Sequence, residues 1–191
     1  MGRLCFWGRV LVMRAVISGV LVVLVVMFAA VLVSAESKEA TLQVVPDVDF
    51  SRYVGKWYEI AHLPAWFQRD CTGDTTATYS LRADGRITVL NECRKVDGSM
   101  KSAKGVAKLA NKNGPNSKLK VTFFWPFYGD YWILDLDPEY RWAVVGEPRR
   151  KYLWVLSREP EIDEAVYEEI VTPVAKQGFD VGRLMVTRHG R

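Results

Sequence analysis

The sequence predicts an all-β fold: an eight-stranded antiparallel up-and-down β-barrel, with one C-terminal α-helix packed on the outside and a short ninth strand. Three observations carry this. From Gly55 onward turn residues recur at short intervals, and the segments between them are rich in β-branched and aromatic residues. The links between segments are short, which favours a meander. Beyond Asp163 the apolar period lengthens to a helical one, with Val166, Ile170 and Val174 on one stripe.

Ahead of the barrel, Arg3, Arg9 and Arg14 precede an apolar run from Ala15 to Val33, and Val33-Ser34-Ala35 follows. Residues 1–35 read as a secretory signal peptide cut before Glu36. The run approaches the roughly 20 residues that cross a bilayer, so an uncleaved N-terminal anchor is the alternative. A start at Met13 would keep Arg14 as the charged region and discard Cys5. Residues 36–46 then form a linker and 47–191 the folded domain.

Export puts the remaining cysteines, Cys71 and Cys93, where thiols pair. A bridge would close a loop of about 23 residues and contribute ~3 kcal/mol; two separate buried thiols are the alternative. Removing residues 1–35 takes three of the 26 basic residues and leaves 23 against 22 acidic, a net charge of +1. Nothing in that balance asks for nucleic acid. Lys101, Lys104, Lys108, Lys112, Lys118 and Lys120 cluster in sequence; they fit outward strand positions or edge guards, and peripheral contact with anionic headgroups is the other option.

Taken in order, Phe50, Tyr53 and Val54 form a short amphipathic turn that runs into Gly55, where the backbone turns tightly. Trp57 follows, placed to plug one end of a barrel. Strands are expected over 55–62, 75–82, 86–93, 101–109, 118–124, 130–136, 141–146 and 151–157. Asp84-Gly85, Asp97-Gly98, Asn113-Gly114-Pro115, Pro126 to Gly129, Asp137-Pro138 and Glu147-Pro148 punctuate them. Asp163 is placed to cap the helix, Pro173 to kink or shorten it, and Gly178-Phe179 to end it. Leu184 to Thr187 is the ninth strand.

An eight-stranded barrel is filled by side chains or holds one small ligand, and the inward residues decide which. Ala77, Tyr79 and Leu81, then Ile87 and Val89, then Leu119, Val121 and Phe123 alternate as apolar inward sets. Trp66, Phe67, Trp125, Phe127 and Tyr128 fall in or beside links, where they would rim a mouth or pack onto the barrel end. A one-residue register choice turns Trp132, Trp142 and Trp154 in or out. His62 and His189 are the only histidines and lie far apart in sequence, a poor supply for a triad or a metal cluster. Glu59 and Glu92 are the carboxylates available for general acid or base work.

The stretch Asp49 to Ile60, the run Phe123-Phe124-Trp125-Pro126-Phe127-Tyr128-Gly129, the segment Tyr131 to Tyr140, and Tyr152 to Arg158 with its following helix resemble the lipocalins. They are most similar to bacterial lipocalins related to apolipoprotein D, over about residues 47–188. Gly55 and Trp57 match the family's first signature and Arg158 its third; Asp137 and Tyr140 are the nearest counterparts of the second. The resemblance implies a barrel closed at one end, with Arg158 laid across Trp57, so these residues are structural.

It also implies that function lives in the cup: binding, storage or transport of small hydrophobic ligands, with fatty acids or lysophospholipids first. No enzyme activity, metal or cofactor is expected; a lipocalin-fold enzyme acting on a lipid or isoprenoid, or a tetrapyrrole or haem binder, is the alternative. Expected ligand contacts are Ala61, Ala77, Tyr79 and Val89, then Val121, Phe123 and Trp154, with Trp66, Phe67, Trp125, Phe127 and Tyr128 at the mouth. Relatives of this branch carry a lipidated cysteine; Glu36 stands at that place here. A periplasmic or envelope protein, monomeric or weakly dimeric, is therefore expected, with outer-membrane association still open.

Overall fold

A computed structural model of the chain describes residues 41–190. The signal peptide or anchor expected over residues 1–35, and the Met1 or Met13 start, lie outside the described residues. The domain opens with a one-turn helix, α1 (Phe50–Tyr53), whose N-cap Asp49 accepts from the Ser51 amide at 2.8 Å and the Ser51 hydroxyl at 2.6 Å. Leu42 and Val44, within the stretch expected as a linker, already pack on the outside of the barrel.

Eight strands follow: β1 (Gly55–His62), β2 (Cys71–Leu81), β3 (Ile87–Lys95), β4 (Met100–Leu109), β5 (Lys118–Phe124), β6 (Phe127–Leu136), β7 (Trp142–Gly146) and β8 (Leu153–Ser157). Each pairs antiparallel with the next, and β1 closes the ring by pairing with both β2 and β8. Helix α2 (Glu164–Lys176) and a two-residue strand β9 (Met185–Val186) complete the domain.

Strand direction sorts the links between two ends. Links 82–86, 110–117 and 137–141 lie at the end that α1 occupies; links 63–70, 96–99, 125–126 and 147–152 lie at the other. The two faces of the wall form two apolar clusters. Trp57, Tyr79, Val89, Ala107, Leu119, Ile133, Val145 and Leu156 fill the lower interior. Leu134, Val144, Leu153 and Val155 face outward and receive Ile170, Val171 and Val174 of α2. This explains why Ala143-Val144-Val145 is continuously apolar: β7 is buried on both faces.

Several boundaries differ from expectation, for local reasons. Strand β2 starts four residues early, at Cys71, because its upper part pairs with β3 through register shifts that admit Gly73 and Asp74. Strand β6 begins at Phe127, so much of the aromatic run is strand rather than link. Pro173 does not end α2: it lies on the exposed face, where water can meet the carbonyl that its missing amide leaves free. Asp163 precedes the helix as expected, but its side chain makes no capping bond; only its carbonyl accepts, from the Tyr167 amide at 2.9 Å. Gly178, at φ +87°, ends the helix, and Phe179 is buried behind it.

At the closed end the Arg158 guanidinium lies 3.8 Å from the centre of the Trp57 ring. It donates to the carbonyls of Arg52 (2.7 Å), Lys56 (2.9 Å), Tyr53 and Val54 (both 3.1 Å) and Tyr140 (3.3 Å). Gly55 sits at φ +99°, and a Cβ there would meet Arg158 Nη1 at 3.2 Å, so glycine serves both the turn and the arginine. Asp137 accepts from Arg141 Nη2 at 2.7 Å and Nε at 2.9 Å, which holds its carboxyl below the usual range, and Tyr140 bonds the Asp49 amide at 2.9 Å. These contacts close the bottom.

The seam between β1 and β2 is paired only over Gly55–Tyr58 and Thr76–Tyr79. Above it the chain's own C-terminal segment enters: Val186 pairs with Ala61 and Met185 with His62, while Asp74 N donates to Arg188 O at 2.9 Å. A Cβ on Gly73 would lie 2.5 Å from that same Arg188 oxygen. Cys71 and Cys93 are joined by a disulfide across β2 and β3, with Cα atoms 5.6 Å apart.

Candidate binding site

The inner face changes character along its length. Ile87, Val89, Ala107, Leu119, Ile133 and Val145 are buried near the closed end. Farther up, Val121, Tyr131 and Trp154 are only half-buried, and Phe123 keeps 44% of its surface although its ring packs against Gly105, where a Cβ would come within 2.8 Å. Gly105, Gly129 and Ala103 present no bulk beside it. The upper barrel is a cup lined by aromatic and small side chains.

Three phenols make its floor. Tyr53 rises from α1, Tyr79 from β2 and Tyr131 from β6, and the Tyr131 hydroxyl lies 2.8 Å from each of the other two. Strands β2 and β6 are four apart in a ring of eight, so this row of hydroxyls crosses the bore. Burial raises all three phenols, Tyr79 to about 12, and keeps them protonated.

The mouth is fastened by a polar chain. Trp154 Nε1 donates to Gln68 Oε1 at 2.8 Å, Gln68 Nε2 donates to Glu59 Oε2 at 2.7 Å, and Thr187 Oγ1 donates to Glu59 Oε1 at 2.6 Å. Both oxygens of this buried carboxylate are engaged, which ties the 3-10 turn Trp66–Gln68 and the C-terminal segment to β1. The two histidines converge on the same residue: His62 Nε2 is 3.8 Å from Glu59 Oε1, and His189 Nε2 donates to the Glu59 carbonyl at 2.8 Å. Lys101 Nζ reaches the Phe67 carbonyl at 3.3 Å and Asp70 at 3.6 Å.

Of the expected contacts, Ala77, Tyr79, Val89, Val121, Phe123 and Trp154 face the interior. Trp66, Trp125 and Phe127 stand at the mouth with 71%, 77% and 71% of their surface exposed, beside Phe67 and Phe124. Two expected positions face away from the cup. Ala61 is outside, among the residues under α2, because a bulge between Glu59 and Ala61 reverses the alternation of β1. Tyr128 is outside as well, on the face of Asp130, with Lys108 Nζ 4.3 Å from its ring centre. Trp154 points in, whereas Trp132 and Trp142 pack with the outer cluster. The sequence reading does not single out Tyr53, Tyr131 and Gln68 as site residues; the contacts that tie them across the barrel reach 52 to 86 residues along the chain, and only the Gln68–Glu59 side-chain bond is local.

Outside the barrel, Glu92 faces an open polar groove of about 460 Å³ with Lys56, Asp74, Arg94 and His189, so it does not line the cup. Among the described residues no group of three His, Cys, Asp or Glu could hold a metal ion, and no helix is long and apolar enough to cross a membrane.

Residues 48–189 match the family described as "Lipocalin-like domain". Temperature-induced lipocalin-1 of Arabidopsis thaliana is 40% identical over 159 residues, covering 80% of this chain and 84% of that protein. Outer membrane lipoprotein Blc of Escherichia coli (strain K12) is also 40% identical, covering 83% and 89%. Insecticyanin of Manduca sexta shares the fold, with a TM-score of 0.66 at 20% identity over 78% of this chain and 85% of that one. The chain belongs to the lipocalin family, whose barrels bind small hydrophobic ligands.

Proposed function

We propose that the protein binds, stores or carries single-chain lipids, fatty acids or lysophospholipids, in the cell envelope. The observation that carries this reading is the half-exposed inner face around Phe123, Val121 and Trp154, above a packed floor. An acyl chain fits such a wall, and each methylene it buries contributes about 0.8 kcal/mol. A charged headgroup would stay at the mouth, where Arg69, Lys101 and Lys151 stand. Both Glu59 oxygens are engaged in holding Gln68 and Thr187, which supports a structural role for this carboxylate at the mouth.

The rim supports contact with the source of such lipids. Trp66, Phe124, Trp125 and Phe127 project at one end, ringed by Arg69, Lys95, Arg149 and Lys151, a pattern that suits an interfacial region bearing anionic headgroups. The name of the Escherichia coli relative, an outer membrane lipoprotein, supports an envelope setting.

The test is calorimetric titration of saturated fatty acids from eight to sixteen carbons into delipidated protein, with native mass spectrometry of what co-purifies. Affinity should climb about threefold to fourfold per methylene until the cup is full. Flat affinity across the series would sink the lipid reading.

A further inference from the structure

We propose that the cup recognises a neutral oxygen, a hydroxyl or carbonyl, at the end of the ligand that enters first. This rests on the reading of the cup as a lipid site and deepens it.

The phenol row carries one proton more than it can pair. Tyr53, Tyr131 and Tyr79 bring three hydroxyl hydrogens to a row that contains two hydrogen bonds. Whichever way the row is oriented, one O–H has no phenolic oxygen to receive it. A buried donor without an acceptor is unfavourable, and the row crosses the bore beneath the half-exposed wall of Val121, Phe123 and Trp154. Farther toward the mouth, Asn91 shares the inner face with Val89 and pairs with Ala77 and Ala103, and its Oδ1 is buried with no partner. A methyl terminus would satisfy neither group. A hydroxyl can accept from the phenol row and still donate.

Charge at the floor is disfavoured. None of the three hydroxyls is bonded to a cation, and the cation whose field reaches Tyr53, Arg158, is committed to main-chain carbonyls and the Trp57 face. The fitting class is therefore an amphiphile with its ionic group at the mouth and an uncharged oxygen at its buried end. A long-chain acid hydroxylated at the far terminus is the simplest probe.

The experiment compares hexadecanoic acid with 16-hydroxyhexadecanoic acid by titration calorimetry on the delipidated protein. The hydroxy acid should bind about tenfold tighter. In the triple variant Y53F/Y79F/Y131F the preference should fall to about threefold or less, because the phenol donors are gone and only Asn91 Oδ1 remains; removing all three hydroxyls together leaves no unpaired phenol, so the fold is retained. Tyr79→Phe alone leaves two phenols, one bond and one spare proton, and should keep the preference. Tighter or equal binding of the plain acid by the unmodified protein would overturn the inference while leaving the lipid function standing. So would a preference that the triple variant does not move. Binding of neither acid would overturn the lipid reading, and this inference with it.

Discussion

Replacing Arg158 with alanine tests whether the closed end is purely structural. The guanidinium spans five main-chain carbonyls and covers the Trp57 indole. The ring contact is worth about 0.5–2 kcal/mol. Several of the carbonyls lie where water can replace the arginine, so roughly two hydrogen bonds at about 1 kcal/mol each are the net loss. The sum is about 2.5–4 kcal/mol. For a domain of this size each kcal/mol moves Tm by about 2–4 °C, so the variant should melt roughly 5–16 °C lower. Urea unfolding followed by tryptophan fluorescence measures the stability, and acyl-chain titration of the still-folded variant measures the cup. Stability should fall while affinity stays within about threefold. Unchanged melting with lost binding would refute the assignment, because Arg158 would then act on the ligand.

Three further perturbations probe separate parts of the wall. Reduction of the Cys71–Cys93 bridge, or the paired serine variant, should cost ~3 kcal/mol in chemical denaturation, and in the unreduced protein neither cysteine should react with a thiol reagent, folded or denatured. Gly73→Ala should loosen the segment from Met185 to Gly190, because the new Cβ meets the Arg188 carbonyl; faster amide exchange at Asp74 and Thr187, with β3–β5 unaffected, is the expected pattern. The buried phenols make stability depend on alkaline pH. Their folded values lie above the unfolded value near 10, Tyr79 at about 12, so their contribution is complete below pH 10 and declines as pH rises toward 12. Ultraviolet phenolate titration should show the three floor phenols, of eight tyrosines in all, ionising together with unfolding, while Tyr167, raised by its own partial burial, ionises late without it. Ionisation of all eight near pH 10 in folded protein would contradict the buried row.

Much of the barrel was legible because its signals are local. Turn residues bound β1 and β5 at the expected positions, and the inward sets Ala77 with Tyr79, Ile87 with Val89, and Leu119 with Val121 follow from strict alternation. Alternation fails where a strand bulges, and a bulge is decided by hydrogen bonds to a neighbouring strand. That is why Ala61, one residue past such a shift, turned outward, and why the early start of β2 was hidden behind the turn-like Gly73-Asp74. Tyr128 misled differently: aromatic bulk beside a turn says nothing about which face it occupies. The floor was illegible for a third reason. Tyr53, Tyr79 and Tyr131 are unremarkable separately and become a site only when β2 and β6 stand on opposite sides of the bore.

Arg158 secures the base of the barrel through acceptors that are all main-chain oxygens. A carbonyl is supplied by any residue, so this clasp is indifferent to what side chains stand at positions 52, 54 and 56. Their side chains answer to other contacts, Arg52 to Glu139 and the Tyr140 ring, Val54 to the lower core and Lys56 to the Tyr58 ring, so a substitution there acts through those contacts and leaves the clasp itself in place while the backbone path and Gly55 persist. A glycine, a tryptophan and a distant arginine can therefore remain recognisable when the residues around them have changed.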